Sequence, residues 1–388
     1  MYVFFANIAA WVSVVCYAAA VLGCGYALFA TWAARGFVRT ATAPAGDRPA
    51  VTLLKPLHGL EPGLYANLAG FCAQAYPSAM QIVFGVDDPA DPAVGVVRQL
   101  VADFPDRDLT LVINARHYGE NRKVSNLINM ARQARHEVLV VSDSDIVVAP
   151  DYLEHVVAAL ARPGVGLVTC LYRGAAAAGI WSRLSAAAID YHFLPNVLVG
   201  LKLGLAAPCF GSTIALRSKT LAEIGGFEAV ADQLADDYAL GALVRGTGQT
   251  VAIPNYIVAH VCAERSANDL IGHELRWART IRSIDPAGFA GLAITHALPL
   301  ALCGLALGGI DPAGLIVVAA LACRFILQSE IDRAFHLHGE FFRLGPLRDL
   351  LSFAIFIVSF FGRGVEWRGH RYGLRADNRL AYYGEVET

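Results

Sequence analysis

The first 34 residues carry no charged side chain, whereas residues 45–285 read like an ordinary soluble domain. This asymmetry limits the possible folds more than any other feature. Only 16% of the 388 residues are charged, against about 25% in an average globular protein, and the deficit lies at the two ends. Residues 4–34 suffice for one transmembrane helix, which needs about 20 apolar residues. A cleaved signal peptide is the competing reading, but it has a positive start and a shorter apolar core. Here the first positive charges, Arg35 and Arg39, follow the apolar run. The expectation is a retained helix with its start outside and the middle domain in the cytoplasm, because basic flanks stay inside.

Residues 289–309 and 313–328 are apolar and separated by a Gly/Pro turn at 308–312, which predicts a membrane hairpin. Residues 348–362 form a third, shorter apolar stretch. The basic tail (Arg363, Arg368, Arg371, Arg375, Arg379) predicts a cytoplasmic end. Three full crossings would put that tail outside, so one stretch is expected not to span, and which one stays open. Residues 193–207, apolar apart from Lys202, are expected at the membrane interface or lining an acceptor site. A buried helix of the soluble domain is the alternative. The division expected is 1–39 as anchor, 40–285 as soluble domain with interfacial helices, and 286–388 as membrane segment and tail. Eight scattered cysteines without a C-x-x-C pair fit a reducing compartment. The net charge of -2 gives no reason to expect nucleic acid.

The middle section alternates strand-type and helix-type runs. Strands are expected at 51–56, 81–86, 109–114 and 137–142, and helices at 61–75, 93–104 and 122–135. Residues 137–142 are nearly all apolar, as in a strand covered on both faces. The alternation predicts a mostly parallel sheet, with ligands beyond the carboxyl ends of its strands. Asp87 and Asp88 follow one strand, and Asp143-Ser144-Asp145 follows another.

Two carboxylates one residue apart after a strand can share a hard cation. Mg²⁺ or Mn²⁺ held by Asp143 and Asp145 would also grip diphosphate oxygens and offset charge on a leaving group. Asp87 or Asp88 suits a nucleoside contact, and the nearby Asp91 leaves the choice open. Lys123 opens a helix where it can reach a phosphate or the base. A hydroxyl attacking a sugar carbon needs a proton acceptor. Asp237 is the first candidate and Asp236 the second. In His273-Glu274-Leu275-Arg276-Trp277, positions 273, 276 and 277 share a helix face. Arg276 can fork onto diphosphate oxygens, and Trp277 can wall an acceptor site. With the apolar ends, these groups predict sugar transfer from a nucleotide diphosphate to a lipid.

The pattern resembles glycosyltransferase family 21, the ceramide glucosyltransferases. Its three spaced aspartates fall on Asp88, Asp143 and Asp237, and its (Q/R)-x-x-R-W motif falls on His273–Trp277, with His where the family has Gln or Arg. The resemblance implies a GT-A α/β domain, Rossmann-like and of the nucleotide-diphospho-sugar transferase type, flanked by an N-terminal transmembrane helix and C-terminal membrane helices. It also implies an inverting, UDP-sugar-dependent hexosyltransferase. The runs 121–127 and 273–280 look still more like a bacterial branch, the hopanoid-biosynthesis glycosyltransferases. That likeness implies N-acetylglucosamine transfer from UDP-GlcNAc to bacteriohopanetetrol at a bacterial inner membrane, by a multi-pass protein in contact with membrane lipids. Glucose transfer to ceramide is the alternative, and a processive polysaccharide synthase stands third.

Overall fold

The computed structural model describes residues 2–39, 46–308, 313–337, 342–362, 364–367, 370–374 and 380–385. Linker residues 40–45, the turn residues 309–312, and Arg363, Arg368, Arg375 and Arg379 lie outside the described residues. Contacts divide the chain into two compact units, each built from separated stretches. One comprises Thr40–Ala177, Ala207–Ala263 and His370–Thr388, and the other Met1–Arg39, Ala178–Ala206 and Glu264–Gly369.

The first unit is built on strands β1 (Val51–Pro56), β2 (Met80–Val86), β3 (Asp108–Ile113), β4 (Val138–Val141), β5 (Ile146–Val147), β6 (Val165–Val168), β7 (Leu171–Ala176), β8 (Ile214–Arg217), β9 (Thr250–Ala252) and β10 (Ile257–Cys262). The main sheet has the order β3-β2-β1-β4-β8-β6-β9. Strands β1 to β4 run parallel, and β8 is antiparallel to both β4 and β6. A small sheet, β5-β10-β7, lies beside it in the chain's order.

Side chains alternate between two cores, which explains the continuously apolar strands. Leu53, Ile82, Phe84, Val138 and Val140 enter one cluster, and Leu54, Val83, Leu139 and Val141 enter the other. Each such buried side chain contributes roughly 1.5–3 kcal/mol. On the second face the Arg122–Ala131 helix approaches closely at Gly85. A Cβ there would lie 2.4 Å from the Met130 sulfur, so a larger residue would have to displace the Met130 and Asn126 side chains.

The second unit is helical. Its first helix, Tyr2–Val38, buries small residues (Ala20, Ala27, Ala30, Ala34) and exposes large ones (Trp11, Val15, Leu22, Trp32). That is the arrangement of a helix packed in lipid, where small residues let backbones approach. Ser13 Oγ donates to Gly304 O at 2.9 Å, and a Cβ on Gly304 would meet Tyr17 at 2.5 Å. Asn7–Val38, Gly179–Leu203 and Gly314–Ala334 are long and apolar enough to cross a membrane.

The apolar stretch 289–309 falls on helical segments of this unit. It is a pair of segments, Pro286–Thr295 and Ala297–Gly308, bent by 67°. Pro299 accounts for the break. It has no N–H for the Thr295 carbonyl, and its ring would clash with that carbonyl in a continuous helix.

Candidate active site

Because β8 runs antiparallel to β4, with Ile214 opposite Val141, the loop entering β8 reaches the edge where the loop leaving β4 begins. Gly211 joins two of the acidic motifs there. Its carbonyl accepts from Asp143 N at 3.3 Å, and its N–H donates to Asp237 Oδ2 at 2.8 Å. A Cβ on Gly211 would lie 2.7 Å from Asp143 Oδ2 and 3.1 Å from Lys123 Nζ. Only glycine leaves room for those groups.

Lys123 lies in the first turn of the Arg122–Ala131 helix. Asn121 caps that helix by accepting from Val124 N at 3.1 Å, and its amide donates to Gln233 O at 2.8 Å. This fixes Lys123 beside the Asp236 loop. Its Nζ lies 2.7 Å from Asp143 Oδ1 and 3.5 Å from Asp236 Oδ2. Burial opposes its charge, but Asp143, Asp236 and Asp237 hold it well above the usual lysine range.

The Asp237 carboxylate is oriented by Gly211 N and by Tyr238 N, the latter at 2.7 Å from Oδ1. Burial and then the Asp236 charge raise its pKa to about 6, with Lys123 pulling the other way.

Asp145 has a different partner. In the small sheet His260 pairs with Ile146, and Val261 N donates to Asp145 O at 2.8 Å. That register brings His260 Nδ1 to 3.5 Å from Asp145 Oδ2. Burial would raise the Asp145 carboxyl, but His260, Lys55 and Lys123 outweigh it and leave it at about 2. Its Oδ1 is buried and, among the described residues, has no hydrogen-bond donor. A buried carboxylate oxygen without a donor suits a cation, so Asp145 fits the divalent ion expected from the sequence. Asp143, the other expected ligand, is engaged with Lys123.

Behind the loop, Lys55 is fully buried. It donates to Asp143 O at 2.6 Å and to Ser142 Oγ at 3.2 Å, and sits 3.7 Å over the Phe71 ring. Burial lowers its pKa to about 7, although Asp143 and Asp145 favour its charge.

At the end of β2, Asp88 is exposed and its Oδ1 accepts from Ala90 N at 2.8 Å. Asp91 is buried and accepts from Gly59 N and Ala93 N, so it shapes the loop. Asp87 is half-buried, 4.0 Å from His117. His58, Asp87 and Asp91 also present ligand atoms within 4.8 Å of one another and could hold a metal. They are not the pair that the sequence singles out.

Asp87, Asp88, Lys123, Asp143, Asp145, Asp236 and Asp237 all belong to the sheet unit, and His273, Arg276 and Trp277 to the helical unit. The latter three lie on the Ala267–Ile284 helix. His273 Nδ1 is 2.6 Å from Glu264 Oε1, which also accepts from Ser185 Oγ at 3.0 Å. The His273 ring meets Trp277 edge-on at 4.3 Å. Arg348 pairs with Glu274 at 2.7 Å, and Arg279 and Arg282 donate to backbone carbonyls of residues 360–364. Lys55, Gly211 and His260 are absent from the residues picked out by sequence reading. A lysine and a histidine inside otherwise apolar strands were the only signals for two of them.

A sheet of this order, with acidic loops at its carboxyl edge, defines the GT-A class of glycosyltransferases. A mannosyltransferase from Pyrobaculum calidifontis, solved with GDP-Man and Mn²⁺, superposes with a TM-score of 0.53 at 20% identity, covering 90% of this chain and 99% of that one. The chain belongs to glycosyl transferase family 21, whose family model matches residues 15–380. Ceramide glucosyltransferase 1 of Caenorhabditis elegans is 25% identical over 237 residues, 61% of this chain and 50% of the relative. A ceramide glucosyltransferase of Candida albicans is 33% identical over 121 residues, 28% of this chain and 22% of the relative. The chain thus spans half or less of the length of these two relatives.

Proposed function

We propose that the chain transfers one sugar from a UDP-sugar to a lipid hydroxyl, with inversion at the sugar carbon. The observation that carries this reading is the Gly211 junction, which ties a carboxylate of base strength to the Asp143–Asp145 loop through one residue. Asp87 and Asp88 take the nucleoside, and Asp143 and Lys123 the diphosphate side. A divalent cation bound at Asp145, with Asp143, would neutralise charge that develops on the diphosphate. Asp237 takes the proton of the acceptor hydroxyl as its oxygen bonds to the sugar carbon. The bond from that carbon to UDP breaks on the opposite face. Asp236 and Lys123 set the Asp237 charge. Arg276 supports the diphosphate, Trp277 walls the acceptor, and His273 orients that helix face through Glu264.

Two acceptors fit this chemistry. The likeness of residues 121–127 and 273–280 to the hopanoid branch supports N-acetylglucosamine transfer to bacteriohopanetetrol in a bacterial inner membrane. The names of the matched relatives support glucose transfer to ceramide. Purified full-length protein should be incubated with UDP-glucose or UDP-GlcNAc against each lipid, reading UDP release and product mass. A single-sugar lipid product with one pair supports the reading and selects the acceptor. Polymeric product would indicate a processive synthase, and no UDP release with any pair would refute sugar transfer.

A further inference from the structure

We propose that the groove between the ends of the Tyr2–Val38 and Ala313–Ala334 helices binds a membrane phospholipid with an anionic headgroup, of the phosphatidylglycerol class. The groove has a volume of about 410 Å³ and is lined by Arg35, Phe325, Ile326, Ser329, Glu330 and Arg333. All six belong to the helical unit, and none takes part in the proposed sugar transfer. Three observations support the inference. The first is the order of chemistry along the helix. Phe325 and Ile326 form an apolar end, the exposed Ser329 follows, and Arg333 lies in the last turn. Ile326 and Arg333 are about 10 Å apart along the helix axis. A phospholipid presents the same order over such a length, with an acyl chain, then glycerol esters, then a phosphate.

The second observation is charge. Arg35 Nη2 is 2.8 Å from Glu330 Oε2, and Arg333 Nη2 is 2.6 Å from the same oxygen. Two guanidinium groups offer about ten N–H donors, and one carboxylate has about four acceptor sites. The Glu330 side chain is 5% exposed, whereas those of Arg35 and Arg333 are 54% and 68% exposed. The surplus donors are therefore open to a ligand, and a guanidinium forks well onto phosphate. The third observation is position. Lys202, exposed in the last turn of the Leu194–Leu203 helix, has its Nζ 4.6 Å over the Trp32 ring. A Cβ on Gly36, the residue after Arg35, would lie 4.0 Å from that Nζ. Leu203 and Leu205 beside it are exposed. Lysine and tryptophan among exposed leucines mark a helix end at a membrane–water interface. A basic edge of this kind belongs to the cytoplasmic leaflet, whose anionic lipids attract lysine and arginine. Three cations face one carboxylate here, so an anionic headgroup suits the groove and a zwitterionic one would bring an ammonium group among them.

The test uses the full-length protein in detergent with added dioleoyl phosphatidylglycerol or dioleoyl phosphatidylcholine, and native mass spectrometry counts the bound lipid. The wild type should hold its first phosphatidylglycerol at least about tenfold more tightly than phosphatidylcholine. One basic side chain is worth about fivefold in affinity for an anionic lipid surface. Arg333→Gln should therefore weaken phosphatidylglycerol binding by about that factor and leave phosphatidylcholine binding unchanged. Glu330→Gln removes the competing carboxylate and should strengthen phosphatidylglycerol binding, a gain that a misfolded protein cannot show. Lys219→Gln removes an exposed positive charge of the sheet unit and should have no effect. Equal affinity of the wild type for the two lipids would overturn the proposal. So would equal losses in Arg333→Gln and Lys219→Gln, no loss in Arg333→Gln, or weaker phosphatidylglycerol binding in a folded Glu330→Gln protein.

Discussion

At the scale of single residues, Asp237 carries the sharpest expectation. A positioned base contributes about 10²–10⁴-fold. Asp237→Asn keeps the shape of the side chain and can keep one of the two backbone hydrogen bonds, but it cannot accept a proton. Its kcat should fall by that factor while UDP-sugar affinity stays near wild type. The Asp237 pKa of about 6 gives the sign of the pH effect. The carboxylate is the active form, so the rate should rise between pH 5 and 7 and level off above. A rate that is flat across that interval would refute the assignment. Gly211→Ala tests the junction. The added methyl displaces Asp143 or Lys123, and a misplacement near 1 Å costs roughly 10²-fold in rate. The variant should remain folded, because the strain is confined to the acidic cluster. Wild-type kcat in a folded Gly211→Ala protein would show that the junction is not needed. Asp87, Asp88, Asp143 and Asp145 stand out in the sequence because they follow apolar strands. Gly211 does not, because its value lies in what an absent side chain leaves open.

At the scale of elements, the four strands and three helices expected between residues 51 and 142 are present with boundaries moved by a few residues, whereas β5 to β10 were not read from periodicity. The expected helix at 122–135, for example, ends at Ala131. Pairing was less legible. That β8 returns antiparallel beside β4 depends on contacts between segments separated by a long apolar insertion. Buried charge in the helical unit was likewise missed. Arg348 is 1% exposed, and its partner Glu274 lies beside His273 on the Ala267–Ile284 helix. Removing one member of such a pair costs about 3–5 kcal/mol, whereas replacing both with apolar residues is often neutral. Arg348→Met should therefore lower the melting temperature in detergent, and Arg348→Met with Glu274→Leu should recover most of the loss. Equal melting temperatures for Arg348→Met and wild type would mean that the pair does not fix the helix. If the double variant is stable but slow, the charges also serve to orient Arg276 and Trp277.

At the scale of the whole molecule, strand pairing settles a point that hydropathy leaves open. The Gly179–Leu203 helix is long and apolar enough to cross a membrane. Yet β8, β9 and β10, which follow it, are hydrogen-bonded to β4, β6, β5 and β7, which precede it. A single crossing would place these strands on opposite sides of the bilayer and break the sheets. The helix therefore enters and leaves on one side. The Gly345–Ser359 helix has 15 residues and rises about 22 Å, short of the roughly 30 Å hydrocarbon core. Gly314–Ala334 is long and apolar enough to cross, as is the bent pair if its two segments are one span. Native Cys170 and Cys262 are buried and would not report sidedness. Arg135 and Lys219 are suitable positions, with side chains 62% and 83% exposed, one before and one after the Gly179–Leu203 helix. In a Cys303→Ser background, Arg135→Cys and Lys219→Cys should both escape an impermeant maleimide in intact cells and both react after lysis. Reaction of Lys219→Cys alone in intact cells would mean that the helix crosses. Reaction of both would turn the sheet unit outward and refute a cytoplasmic catalytic domain.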